Sequence, residues 1–244
     1  MTPLWRRAVA EGIGTALLVA VVIGSGIAAS KLSPNDIGLQ LLENAFATAL
    51  GLAVLILMIG PVSGAHFNPV VSLVDWWLGR RTGSGLSAQE VAAYVPAQVV
   101  GASLGAVLAN LMYGEAAVSW STKDRSAGHL WLGEVVATAG LIVLIFALAA
   151  SNRATLAPAA VGAYIGSAYW FTSSTSFANP AVTIGRAFSD TFAGIAPASV
   201  PGFVIAQLVG AAVGVGMLAL LYPRAGRAAD EVVTPHVDTT GASK

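Results

Sequence analysis

Apolar residues fill long stretches of this chain, and polar residues gather between the stretches rather than alternating within them. Runs at 8–29, 41–59, 91–112, 130–150, 156–171 and 200–221 come near the roughly 20 residues a helix needs to cross a hydrocarbon layer. The pattern predicts an all-α membrane protein with six spans and both chain ends on one side. Two further apolar stretches carry Asn68-Pro69 and Asn179-Pro180. An Asn in hydrocarbon is costly unless it faces a partner or a solute, and Pro is tolerated at a helix's first position because its missing N–H has no intrahelical role there. These pairs predict two short re-entrant helices that start in mid-membrane with their N-termini aimed at a pore.

Composition narrows the class. The 244 residues are 56% hydrophobic and 10% charged, a balance that a soluble domain of this size does not carry on its surface. Arg6, Arg7, Arg80, Arg81, Arg153, Arg224 and Arg227 fall on one side of the predicted spans, against Lys31, Lys123, Arg125 and Arg186 on the other. The positive-inside rule then puts both termini in the cytoplasm and the protein in the cell membrane. Arg6-Arg7 before an apolar run, with Ala28-Ala29-Ser30 after it, has the look of a signal peptide, but the run is longer than a usual signal core and reads as an uncleaved first helix. Zero cysteines exclude disulfides and thiolate metal sites, and neither a metal nor another cofactor is expected. Zero net charge without a basic cluster gives no reason to expect nucleic acid. Residues 1–222 are expected to form one domain and 223–244 a disordered polar tail.

The domain is internally duplicated, in repeats of about 5–112 and 128–222. Glu11 with Thr15 returns as Glu134 with Thr138, and Gln98 with Gly101 as Gln207 with Gly210. Each copy holds three spans, an odd number, so the second is inserted upside down. A Glu inside a span is expensive and faces the protein interior, and a carboxylate accepts hydrogen bonds from the N–H groups of irregular backbone. Glu11 and Glu134 therefore read as braces, each for its own half's re-entrant loop. A second reading, a Glu hydrated near the membrane surface, stays open for Glu11. Neither has a His or Asp at helical spacing to make a proton relay. Glycines within the spans, Gly101, Gly105, Gly210 and Gly214 among them, let helices approach closely.

The segments Ser63-Gly64-Ala65-His66-Phe67-Asn68-Pro69-Val70 and Thr175-Ser176-Phe177-Ala178-Asn179-Pro180-Ala181-Val182 resemble the major intrinsic protein family, the aquaporins and glycerol facilitators. The resemblance covers residues 5–222. It implies a homotetramer in the lipid bilayer, each copy a passive channel for water and small uncharged solutes, with no enzymatic activity. Val70 departs from the family's usual Ala. Four selectivity-filter positions carry over by spacing: Thr48, twenty residues before Asn68; Ser167 and Ser176, twelve and three before Asn179; and Val182, three after it. The family usually has an aromatic residue at the first and Arg at the last. The set resembles the bacterial branch without that arginine, linked with arsenous acid and methylated arsenicals. It implies a wide, neutral, hydroxyl-lined constriction.

Other residues keep two readings. His66 at the cytoplasmic mouth is a packing residue in preference to a pH gate. Arg186, one turn beyond Val182, is either a displaced filter cation or, as preferred, half of an i,i+4 ion pair with Asp190. Residues 172–176 are a solvated outer loop or pore lining. Thr183 and Ala187 lean toward water channels, and Pro197 and Ala198 toward solute channels. Water selectivity is the main alternative function and a coupled secondary transporter a more distant one. A hydrolase is excluded because His66, His129 and His236 are too scattered to build a triad.

Overall fold

A computed structural model describes residues 2–80 and 82–223; of the expected tail, residues 224–244 lie outside the described residues, as does Arg81 among the sidedness markers. Among the described residues eight α-helices follow one another: α1 (Leu4–Leu32), α2 (Ile37–Ser63), α3 (Pro69–Gly79), α4 (Ala88–Met112), α5 (Gly128–Ala150), α6 (Ala157–Phe171), α7 (Pro180–Arg186) and α8 (Val200–Leu221). The described residues contain no strand. The order of two longer helices, a short one and another long one occurs twice, α1 to α4 and α5 to α8.

Helices α1, α2, α4 and α5, and α8 with the 3-10 turn that leads into it, are long and apolar enough to cross a membrane. α6 has 15 residues, about 22 Å at 1.5 Å per residue, and falls short of that length. Local chemistry sets the ends. Asp36 caps α2 by accepting from Leu39 N. Ser87 and Glu90 close a reciprocal capping box on α4. Pro69 and Pro180 open the two short helices behind Asn68 and Asn179.

Burial is reversed relative to a water-soluble protein. Leu57, Leu104, Leu132 and Leu220 stand on the outside, whereas Glu11, Glu134, Gln98 and Gln207 are fully buried. A hydrocarbon solvent accepts the leucines and leaves the carboxylates only the interior. The protein is a multi-pass membrane protein. α1 packs on α4 and α5 on α8, each pair joining the first and last long helices of one half, while α2 packs on α6 across the halves and α7 packs chiefly on α4.

The α1/α4 pair crosses backbone to backbone. A β-carbon at Gly101 would lie 2.1 Å from the Gly12 carbonyl oxygen, and one at Gly105 2.1 Å from that of Ala16. Gly210 and Gly214 of α8 stand in the same relation to Val135 and Ala139 of α5, at 2.6 and 2.8 Å. The duplicated Gln-x-x-Gly pattern thus fixes both crossings.

Gly105→Ala is expected to push α1 from α4. Overpacking of this kind costs about 1–3 kcal/mol, and roughly 2–4 °C is lost per kcal/mol for a chain of this size. Thermal unfolding in detergent should show a fall on the order of 5 °C. Gly216→Ala, at a position where a β-carbon meets nothing, should leave Tm within about 1 °C.

Candidate functional site

Each short helix is preceded by a loop whose backbone turns repeatedly into the left-handed region. φ is positive at Gly64, Ala65 and Phe67 in the first half and at Thr175, Ser176 and Ala178 in the second. For residues other than glycine such conformations cost on the order of 1–3 kcal/mol each and persist only where the surroundings hold them. Here the holder is a carboxylate. Glu11 accepts from His66 N at 2.9 Å, Phe67 N at 2.6 Å, Ser63 Oγ at 2.7 Å and Gln98 Nε2 at 2.8 Å. Glu134 accepts from Phe177 N and Ala178 N, both at 2.8 Å, and from Gln207 Nε2 at 2.6 Å.

The two glutamines complete the frame. Gln98 Nε2 also donates to Ser72 Oγ of α3, and Gln207 Nε2 to Thr183 Oγ1 of α7. Those hydroxyls in turn donate to the carbonyl oxygens of Asn68 and Asn179. Each loop is thereby tied, through one Glu and one Gln, to the helix that follows it.

Asn68 and Asn179 then lock the halves together. Asn68 Nδ2 donates to Ala178 O at 2.8 Å, and Asn179 Nδ2 donates to Phe67 O at 2.7 Å. Their Oδ1 atoms cap their own helices, Asn68 on Val70 N and Asn179 on Ala181 N and Val182 N. With both duties met, each side-chain amide keeps one N–H, and both residues line a single cavity.

The cavity has two unlike walls. Leu18, Val22, Leu52, Leu141, Ile145 and Val161 form an apolar side, and the two loops with their asparagines form a polar one. His66 lines the cavity before Asn68, its Nδ1 3.1 Å from Ser72 Oγ and its ring edge-on to Tyr94. Tyr94 donates to Ser63 O and accepts from Nε of Arg7, whose Nη1 pairs with Glu90. Thr48, Ser176, Val182 and Arg186 line the stretch toward the other mouth. The Ser176 hydroxyl is buried without a partner among the described residues, so it can bond to whatever enters. Pro69, Pro180, Val70 and Ala181 are buried in the first turns of α3 and α7; the extra methyl groups of Val70 sit in the protein core.

Two expectations from spacing fail. Ser167 does not reach the cavity: it is exposed and donates back to Tyr164 O at 2.8 Å. The inward face of α6 is Val161, Ile165 and Tyr169, a four-residue rhythm that puts Ser167 on the opposite face. Tyr169 takes the place opposite the loop, its hydroxyl 3.2 Å from Thr48 Oγ1. Nor does Arg186 pair with Asp190, whose carboxylate accepts from Thr122 N and Oγ1. Arg186 turns inward, its guanidinium carbon 3.3 Å from the centre of the Phe177 ring and its Nε donating to Ala193 O. In the segment 172–176 Thr172, Ser174 and Ser176 are buried, whereas Ser173 is bonded to His129 O near the surface.

Spacing also gave no hint of Arg125. It lies between α4 and α5, donates to Gly194 O and Ser174 O, and approaches the same Phe177 ring at 4.9 Å. At the opposite end Asp75 accepts from Leu86 N at 2.6 Å and ties the chain after α3 to that helix.

The family model described as Major intrinsic protein matches residues 1–176 and 169–243. The chain is 51% identical to the aquaglyceroporin AqpS of Rhizobium meliloti over 85% of this chain and 86% of that protein. It is 30% identical to the glycerol uptake facilitator protein of Pseudomonas aeruginosa over 91% of this chain and 90% of that one. Its fold is similar to the X-ray structure of the aquaglyceroporin from Plasmodium falciparum, with a TM-score of 0.68 at 17% identity, covering 91% of this chain and 99% of that one.

Removing one brace tests the frame. Hydrogen bonds to a charged group contribute about 1.5–3 kcal/mol each, and Glu134→Ala forfeits three. Osmotic water permeability of reconstituted vesicles is expected to fall at least about tenfold, with a lower Tm. Gln207→Leu, which spares both backbone N–H bonds, should do markedly less.

Proposed function

The chain belongs to the major intrinsic protein family and is a membrane channel rather than an enzyme, and we propose that it conducts small uncharged solutes together with water. The solutes are glycerol-like polyols and uncharged metalloid acids such as arsenous acid. The observation that carries this reading is the cavity lining supplied by Thr48, Tyr169, Ser176 and Val182, which we read as one level and which offers hydroxyls and apolar surface and no charge of its own. A polyol has the same two-sided character. Its hydroxyls can exchange hydrogen bonds with Ser176 and the loop carbonyls while its carbons lie against Val182 and the Tyr169 ring.

Below that level the loop carbonyls offer acceptors, and the spare N–H of Asn68 and Asn179 each donates to a passing oxygen. A water molecule held in this way has both oxygen lone pairs occupied, so it can donate to its neighbours but not accept from them, which breaks a proton wire. The apolar wall supplies no competing partner, so the solute stays on the polar track. Conduction is passive: Glu11 and Glu134, the fully buried carboxylates beside the two loops, are saturated by backbone and glutamine donors and are unavailable to couple a proton or sodium ion.

Tyr169 favours a second reading, water selectivity, because an aromatic ring at this level narrows the passage more than the serine expected there. The unpartnered Ser176 hydroxyl and the short Val182 side chain weigh toward the solute channel. In the cell we place the protein as a homotetramer in the inner membrane with cytoplasmic termini, on the arginine distribution read above.

Light-scattering permeability of vesicles to water, glycerol, urea and arsenous acid decides between the two. The expected result for the native protein is glycerol and arsenous acid flux well above that of empty vesicles. Val182→Arg should cut the glycerol-to-water ratio at least about tenfold, since a long cationic side chain would fill the neutral level. An unchanged ratio would remove Val182 from the filter.

A further inference from the structure

We propose that Arg186 is the residue that excludes cations from this channel, supplying from one helical turn farther out the positive charge that the Thr48–Val182 level lacks. The inference rests on the reading of the cavity as the conduction path and adds a charge-selecting residue to it.

Arg186 is the last residue of α7, four beyond Val182, so it follows Val182 along the same face about 6 Å farther out. It is 2% exposed and lines the cavity that also holds Asn68, Asn179 and Val182. The Phe177 ring takes one face of the guanidinium at 3.3 Å, and Ala193 O takes Nε. A guanidinium has five N–H groups. The four on its terminal nitrogens have no acceptor among the described residues, and the cavity is what remains for them.

No carboxylate among the described residues forms an ion pair with this guanidinium. The ion pairs among the described residues are Arg7–Glu90 and Lys31–Glu115. Asp190 is engaged by Thr122, and Glu134 by Phe177, Ala178 and Gln207. Two further cations stand at this mouth. Arg125 shares the Phe177 ring, and Lys123 Nζ donates to Phe192 O at 2.7 Å. Burial first, then the nearness of Arg125 and Arg186, holds the Lys123 ammonium down to about 8 against the opposing pull of Asp190.

An arginine keeps its proton under all physiological conditions. At about 6 Å and an effective permittivity of about 20, repulsion between unit charges lowers cation occupancy on the order of a hundredfold. The helix ends contribute less here than in a longer helix, because α7 has only seven residues. A neutral polyol feels no such repulsion and meets four hydrogen-bond donors.

The experiment uses the full chain in vesicles loaded with a potassium-sensitive dye, with glycerol flux read by light scattering in the same preparation. Arg186→Gln should raise potassium flux at least tenfold over the native protein, and Arg186→Lys should stay near native. Arg186→His supplies an internal control independent of yield. Its potassium flux should rise at least about tenfold between pH 5 and pH 8 as the imidazole loses its charge, while that of the native protein stays low. Glycerol-conducting Arg186→Gln vesicles that exclude potassium as tightly as native ones, or a flat pH profile for Arg186→His, would overturn the assignment. Native vesicles that fail to pass glycerol would instead overturn the solute-channel reading, which separates the two failures.

Discussion

Everything in the centre of this molecule depends on two buried carboxylates satisfying backbone that is not helical. A loop inside a membrane has no water to receive its N–H and C=O groups, so each must find a partner within the protein or face a wet cavity. Glu11 and Glu134 take the N–H groups of residues 66, 67, 177 and 178, and the loop carbonyls are left for the passage. The left-handed turns at Ala65, Phe67, Ser176 and Ala178 are what direct successive donors to one side. An amide in place of the carboxylate would bring its own donors against those N–H groups. Charge is therefore needed here for its acceptor capacity.

Neither half is complete without the other. Asn68 reaches the carbonyl of Ala178 and Asn179 that of Phe67, so each asparagine is fixed by the loop from the opposite side of the membrane. The glycine crossings bring α1 to α4 and α5 to α8 closely enough for Gln98 and Gln207 to meet the braces on the neighbouring helices. Duplication with inversion thus yields one frame from two copies of the same four helices. The copies diverge where the mouths differ: α3 has eleven residues and runs past Asp75 to Gly79, while α7 has seven and ends at Arg186.

The frame was legible in the sequence because its chemistry is rare in hydrocarbon. Two Glu, two Gln and two Asn-Pro pairs in apolar stretches have few explanations, and their repetition leaves fewer. The inward face of α6 was not legible in that way. Its residues are mostly small or apolar all round, so composition does not mark the face, and an error of two residues turns a side chain about 200° around the helix. That error exchanged Tyr169 for Ser167. The expected Arg186–Asp190 pair failed for a different reason. The i,i+4 rule presupposes a helix through both residues, but α7 stops at Arg186, and Asp190 goes instead to Thr122. The contacts of Arg125 were not legible because nothing in a loop sequence says which carbonyls its side chain will meet.

With Arg186 as the charge and Val182 in the neutral level, two tasks that compete for space become separable. A guanidinium placed among Thr48, Tyr169 and Ser176 would reject cations there, but its bulk would occupy the cross-section that a solute with several carbons requires. Moving the charge one turn along α7 leaves a short apolar side chain at the constriction. The Phe177 ring and the Ala193 carbonyl hold the guanidinium where the loop meets the helix. Such an arrangement demands a fixed arginine, because a mobile one would swing inward and close the passage. The anchoring ring belongs to the same residue whose N–H is bound to Glu134, so the brace that shapes the conduction path also sets the position of the charge above it.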